Sequence, residues 1–229
     1  MKKTELKRNE IARMINVNKS FNGKSSVQQV LKNVYFEAFP GELILLLGPS
    51  GSGKTTLLTL LGGMQQPGSG DVFLFGKRTS EYSSSELQKL RAKKMGFVFQ
   101  TFKLIESVSV LENLMIVQKF AGINGLKARQ NAIHLLEMMD LKHHIYSLPK
   151  TMSQGEKQRI AIARALVNKT QLIIADEPTG NLNTEQGMKV VEMLKQIVDN
   201  NKCCVVVASH DERITKFANR ILHLKDGMI

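Results

Sequence analysis

Residues 43 to 61 restrict the possible folds more than any other stretch of this chain. They read Leu-Ile-Leu-Leu-Leu-Gly-Pro-Ser-Gly-Ser-Gly-Lys-Thr-Thr-Leu-Leu-Thr-Leu-Leu. The apolar run Leu43 to Leu47 predicts a strand buried on both faces. Gly48 to Thr55 follow the pattern G-x-x-x-x-G-K-[ST], and an apolar helical pattern comes next. A plain Gly/Ser-rich turn needs no such flanks, whereas a phosphate-binding loop needs both. The glycines let successive backbone N–H groups turn inward and close on a polyanion. The helix expected to begin near Lys54 adds the positive end of its dipole. Lys54 can reach the β- and γ-phosphates, and the Thr55 hydroxyl is placed to bind Mg²⁺. The implied ligand is a nucleoside triphosphate, held by Gly48, Pro49, Ser50, Gly51, Ser52, Gly53, Lys54, Thr55 and Thr56.

With 229 residues, 42% apolar and 23% charged, the chain suits one globular domain with a sizeable core. No apolar stretch approaches the roughly 18 residues that cross a bilayer. The N-terminus, Met-Lys-Lys-Thr-Glu-Leu-Lys-Arg, lacks the apolar segment of a signal peptide, so the protein is expected in the cytoplasm. A net charge of +12 admits nucleic acid, an anionic membrane surface or solubility alone as its reason. The cations are scattered, with small clusters at Lys2–Arg8 and Lys89–Lys94, and no basic stripe is interleaved with aromatics. A solvated face, or one near lipid headgroups, fits this better than a nucleic-acid site. Cys203 and Cys204 are adjacent, and neighbours in a strand point to opposite faces. A disulfide between them is disfavoured, and both are expected as buried reduced thiols.

A polar tail is expected over residues 1–11, then a single domain over 12–229. Met14 to Val17 starts the first strand, and Lys19 to Gly23 reads as a turn carrying an exposed aromatic, Phe21. Val27 to Phe36 and Asp71 to Phe75 continue an antiparallel sheet. Ser83 to Ala92 is helical, and Met95 to Gln100 is a strand ending in a polar residue. Residues 103–150 are mostly helical, with Leu111, Leu114, Val117 and Phe120 spaced for one apolar face. Strands at Leu172–Ala175, Cys203–Ala208 and Ile221–Leu224 alternate with helices at Thr184–Val198 and Glu212–Asn219. That alternation predicts a parallel α/β sheet covered on both faces. The sequence ends just after the last strand, as expected if a C-terminal extension is absent or was removed.

Two further constellations carry chemistry. Leu172-Ile173-Ile174-Ala175-Asp176-Glu177-Pro178 delivers two carboxylates to a strand end, where a doubly wound sheet places its ligands. Asp176 is placed to hold Mg²⁺. Glu177, one residue on and expected on the other side of the pleat, suits polarising a water for attack on the γ-phosphate. Met152-Ser153-Gln154-Gly155-Glu156 contains a capping box, Ser153 with Glu156, which marks a helix start whose free N–H groups suit a phosphate.

Gly48–Thr55, Gln100 at a strand end, Ser153-Gln154-Gly155-Glu156 before Asp176-Glu177, and His210 after Val205-Val206-Val207-Ala208-Ser209 together resemble the ATPase subunits of ABC transporters. The resemblance runs through the chain from about residue 12. It implies a P-loop NTPase of the ABC ATPase fold: a RecA-like parallel-sheet core, an antiparallel β subdomain and an α-helical subdomain over about 101–154. It implies ATP and Mg²⁺ as ligands. Phe21 would stack on adenine, Gln100 would touch Mg²⁺ and sense a transmembrane partner, and His210 would contact the γ-phosphate and orient Glu177. It also implies a head-to-tail homodimer with ATP between the chains, in which Ser153, Gln154, Gly155 and Glu156 complete the other subunit's site.

The chain departs from the family pattern at Gln154, where Gly is usual, and at Asn183, where the loop after the second carboxylate usually ends in Asp. Asn183 keeps the size of Asp and loses its charge. The wording of the motifs is most similar to the lipoprotein-releasing and macrolide-efflux group, with peptide-antibiotic-resistance and haem-export ATPases close by. That implies a peripheral subunit on the cytoplasmic face of the membrane, driving a separate permease through a docking surface expected over Phe102 to Phe120. The same motifs would serve an ATPase that gates a cell-envelope process without transport. A nucleic-acid-associated ATPase is disfavoured, because the chain carries neither a second fused unit nor a long coiled-coil insertion.

Overall fold

The apolar run Leu43–Leu47 forms an interior strand of a five-stranded sheet, buried along its whole length. A computed structural model describes residues 10–23 and 27–229; the Lys2–Arg8 cluster and most of the expected polar tail lie outside the described residues. The chain runs β1 (Ala12–Asn22), β2 (Val27–Ala38), β3 (Leu43–Leu47), α1 (Lys54–Leu61), β4 (Ser69–Leu74), β5 (Lys77–Arg78), α2 (Ser84–Lys94) and β6 (Met95–Phe99). It continues through α3 (Val110–Phe120), α4 (Gly125–Met138), α5 (Gln154–Leu166), β7 (Leu172–Asp176), α6 (Thr184–Asn201), β8 (Cys204–Ser209) and β9 (Arg220–His223). Five strands form a parallel sheet in the order β6-β7-β8-β3-β9. The other four form an antiparallel sheet, β2-β1-β4-β5.

Alternation along β3 divides the core into two layers. Leu43, Leu45 and Leu47 pack with α3 to α6, while Ile44 and Leu46 pack with α1 and the inner face of the antiparallel sheet. The same division separates Ile173 and Ala175 from Leu172 and Ile174 in β7. It also parts the two cysteines: Cys203 lies in the first layer and Cys204 in the second, both buried and free. Burial pushes the Cys203 thiol up to about 11 and Cys204 higher still, so both remain protonated at neutral pH.

Several local expectations are corrected. The turn expected at Lys19–Gly23 is strand as far as Asn22, because Ser20, Phe21 and Asn22 pair with Gln29, Gln28 and Val27. Glu10 and Ile11, counted with the tail, are buried, and Ile11 N–H already donates to Ala38 O at 2.9 Å. The last helix is a short 3₁₀ segment, Glu212–Phe217. On α3, Leu111 and Leu114 are buried as expected, but Phe120 is 67% exposed. It sits in the last turn, beyond the reach of the core, at the lip of an apolar groove.

Two polar side chains tie the helical layer together from inside. Asn113 on α3 accepts from Ile105 N–H at 2.8 Å and donates to Ile105 O at 3.1 Å, fixing the loop before the helix. Gln118, fully buried, donates to Ala128 O at 2.8 Å and so joins α3 to α4. Left unpaired, such groups would each cost about 1–3 kcal/mol.

Candidate nucleotide site

The phosphate-binding loop leaves the end of β3 through positions where side chains do not fit. A Cβ on Gly48 would lie 2.3 Å from Leu224 O. Gly53 has φ +108° and caps α1 in the left-handed conformation, with Val30 O only 2.9 Å from where its Cβ would be. Ser52 is buried in the loop, and its hydroxyl has no partner among the described residues. The first turn of α1 has no acidic residue, so its N–H groups and dipole are free for an anion. A glycine-shaped cradle, an orphaned hydroxyl and free N–H groups all fit a polyphosphate.

Lys54 is buried and folded back over the loop. Its Nζ donates to Gly48 O at 2.7 Å and Pro49 O at 3.1 Å, and lies 3.7 Å from Glu177 Oε1. Thr55 donates its hydroxyl to Asp176 Oδ2 at 2.9 Å, joining the start of α1 to the end of β7. Burial raises the Asp176 carboxyl above its ordinary range and the Glu177 charge adds to this, while the Thr55 hydrogen bond and Lys54 oppose it. A hydroxyl and a half-buried carboxylate are hard oxygen donors, the set Mg²⁺ takes when phosphates and waters complete its shell. No group of three or more His, Cys, Asp or Glu side chains suited to a metal occurs among the described residues, so an all-protein cage is not what this site offers.

Glu177 corrects the pleat argument. It lies beyond β7 with φ +46°, a left-handed conformation that is uncommon for a non-glycine residue. The backbone turn, not strand alternation, aims its carboxylate. Its N–H donates to Ala208 O at 2.9 Å, which pins the turn to β8. The carboxylate faces His210 Nδ1, at 3.1 Å from Oε1 and 3.0 Å from Oε2, and Lys54 Nζ lies 3.7 Å from Oε1. The cleft between loop and carboxylates encloses about 330 Å³ and is lined by Ser50, Gly51, Gly53 to Thr56, Asp176, Glu177 and Val30 of β2. Val30 carried no motif and was missed.

The remaining expected residues are not among those lining this cleft. Phe21 is 41% exposed near the end of β1, with Lys19 Nζ 5.3 Å above its ring. Gln100 is exposed after β6, its side chain against Gly180 and its carbonyl accepting from Asn181 Nδ2 at 2.8 Å. The capping box is present at the start of α5: Glu156 N–H donates to Ser153 Oγ at 3.3 Å, and Ser153 N–H to Glu156 Oε2 at 2.8 Å. His144 Nε2 lies 3.2 Å from the other oxygen, Glu156 Oε1. The N–H groups of Gln154 and Gly155, in the first turn, have no intrahelical acceptor. Asn183 caps α6, accepting from Gln186 N–H at 2.9 Å.

A second opening, an apolar groove of about 480 Å³, lies between α2, β6, α3 and α5, with Met64, Phe97, Phe99, Val117, Phe120 and Arg164 on its walls. Phe102, expected on a docking surface, is instead buried. No helix among the described residues is long and apolar enough to cross a membrane.

Known proteins share this arrangement. A family model described as ABC transporter matches residues 31–180. A protein of Staphylococcus epidermidis named HrtA, whose name ascribes hemin import to it, is 41% identical over 213 residues, covering 93% of this chain and 96% of its own. The ABC transporter ATP-binding protein MJ0796 of Methanocaldococcus jannaschii is 38% identical over 218 residues, 93% of each chain. A dimeric structure of MJ0796 matches with a TM-score of 0.87, covering 95% of this chain and 96% of that one. A second MJ0796 dimer, in a post-hydrolysis state bound to ADP and Pi, matches with the same score. The chain belongs to the ABC transporter family, as an ATP-binding and ATP-hydrolysing subunit.

Proposed function

We propose that two copies of this chain close head-to-tail on two ATP molecules and so drive a separate membrane permease from its cytoplasmic side. The observation that carries the chemistry is the placement of Glu177, held by His210 at 3.0 Å and Lys54 at 3.7 Å beside the phosphate loop. Gly48 to Thr56 bind the phosphates. Glu177 accepts the proton of the attacking water as it adds to the γ-phosphorus, and the bond to the β,γ-bridging oxygen breaks. His210 orients Glu177 and the γ-phosphate, and Lys54 balances charge on the β- and γ-oxygens. Thr55, Asp176 and Gln100 would hold Mg²⁺, which supplies charge neutralisation on the phosphate oxygens when bound. Phe21 stacks on adenine.

Ser153, Gln154, Gly155 and Glu156 are not among the residues lining their own chain's cleft, which accords with their serving the partner's nucleotide. Neither half-site is then complete alone, so ATP joins the dimer and hydrolysis releases it. The apolar groove, with Phe120 at its lip, receives the permease. The permease moves or extracts a hydrophobic or peptide-like substrate: a lipoprotein, an antibiotic peptide, a macrolide or haem. The name of the HrtA relative favours haem among these.

The test is Glu177→Gln in the full chain. It is expected to bind ATP, lose turnover by roughly 10²-fold or more and accumulate as an ATP-bound dimer in size-exclusion chromatography. Pull-down of that dimer from solubilised membranes is expected to bring a permease. Turnover near the original rate would remove Glu177 from the role of base, and recovery of nucleic acid without any membrane protein would overturn the transporter reading.

A further inference from the structure

Arg164 is the one charge in the run Ile160-Ala161-Ile162-Ala163-Arg164-Ala165-Leu166 of α5. Burial acts on its guanidinium, and no neighbouring carboxylate offsets it among the described residues. Its fork is spent instead on two consecutive carbonyls: Nη2 donates to Phe102 O at 2.8 Å and Nη1 to Lys103 O. Both of those residues adopt left-handed backbone, φ +57° and +50°, although neither is glycine. Such a pair persists only where the surroundings over-determine it. A planar fork matches two adjacent carbonyls, which a single ammonium would not.

The turn thus gripped begins at Gln100. The carbonyl of Gln100 is held by Asn181, and its side chain lies so close over Gly180 that a Cβ there would sit 2.8 Å from Nε2. Asn181 and Gly180 belong to the loop that follows Glu177. The segment is therefore clamped from two sides, by the loop after the carboxylates and by α5.

We propose that Arg164 is a positioning residue for Gln100, locking the Phe102–Lys103 turn to α5 so that the Gln100 side chain stays at the edge of the ATP site. This rests on the proposed contact of Gln100 with Mg²⁺. It also ties two sites together. Ser153 starts the same helix about 16 Å away, at 1.5 Å per residue. When α5 moves to meet the partner's nucleotide, the backbone carrying Gln100 moves with it.

The experiment is a double-mutant cycle in the full chain, with ATP turnover measured across a Mg²⁺ titration and ATP affinity measured separately. Arg164→Ala is expected to lower kcat about tenfold and raise the half-saturating Mg²⁺ concentration, with ATP affinity within twofold of the parent. Gln100→Ala is expected to do the same, and the double variant is expected to be no worse than the weaker single. Effects that multiply would overturn the proposal, as would an Arg164→Ala loss carried by ATP affinity or by melting alone. Arg164→Lys keeps the charge and stem; if the alanine form fails to fold, the lysine form is expected to give the same Mg²⁺ shift at smaller size, and a parental titration would refute the latch. If Gln100→Ala itself leaves the Mg²⁺ dependence unchanged, the metal role of Gln100 fails, which is a separate result from multiplicative losses.

Discussion

Asp176 illustrates how a site residue works against its own fold. Its carboxyl is pushed up first by burial and then by the charge of Glu177, against the Thr55 hydrogen bond and Lys54. A carboxyl raised in the folded state is penalised when ionised, so the penalty sets in as pH climbs past the ordinary value of 3.8. Asp176→Asn keeps an acceptor for Thr55 and removes the charge. The ligand-free variant is expected to melt above the parent at pH 7, with the gap narrowing at pH 4, close to the ordinary carboxyl value, while its affinity for Mg²⁺ falls roughly tenfold. Calorimetric melts without nucleotide at the two pH values check this; a lower melting temperature at pH 7 would contradict it. That Lys54, Thr55, Asp176 and Glu177 would come together was legible from motif spacing. The aim of Glu177 was not, because the pleat rule stops where the strand stops and the next residue turns left-handed.

The start of α5 was legible as a serine placed three residues before a glutamate. Ser153 with Glu156 was read from the sequence, and Ser83 with Glu86 and Ser109 with Glu112 form the same box. Glu156 is held below the ordinary 4.5 by the Ser153 hydroxyl first and its N–H second. Its contribution is fully present above that value and is lost as pH falls through the depressed folded value. Ser153→Ala is expected to cost about 1 kcal/mol at pH 7 in urea unfolding, with a smaller difference below pH 4. Equal losses at both pH values would show that the glutamate bond is not what the serine supports. The hairpin of β1 and β2 was harder to read. Lys19 to Gly23 has turn composition, yet pairing with residues 27–29 extends the strand, and that partner is set by cross-strand register.

At the scale of the molecule, two of the openings among the described residues differ in chemistry: a polar cleft of about 330 Å³ at the phosphate loop and an apolar groove of about 480 Å³ beside α3 and α5. Phe120 belongs to the second. Phe120→Asp is expected to leave ATP turnover of the separate subunit within twofold and to abolish recovery of the permease with the trapped dimer. Permease recovery at the parental level would place docking elsewhere. Arg164 lines the groove while bonding the turn after Gln100. The ligand class, the parallel sheet and the capped helix starts follow from order along the chain, because glycine spacing, apolar runs and capping pairs act over a few residues. The left-handed turns at Glu177 and Phe102–Lys103, the burial of Phe102, the exposure of Phe120 and the closeness of Gln100 to Gly180 depend on atoms contributed by distant segments, and come into being only when α5, β7 and the loops between them pack.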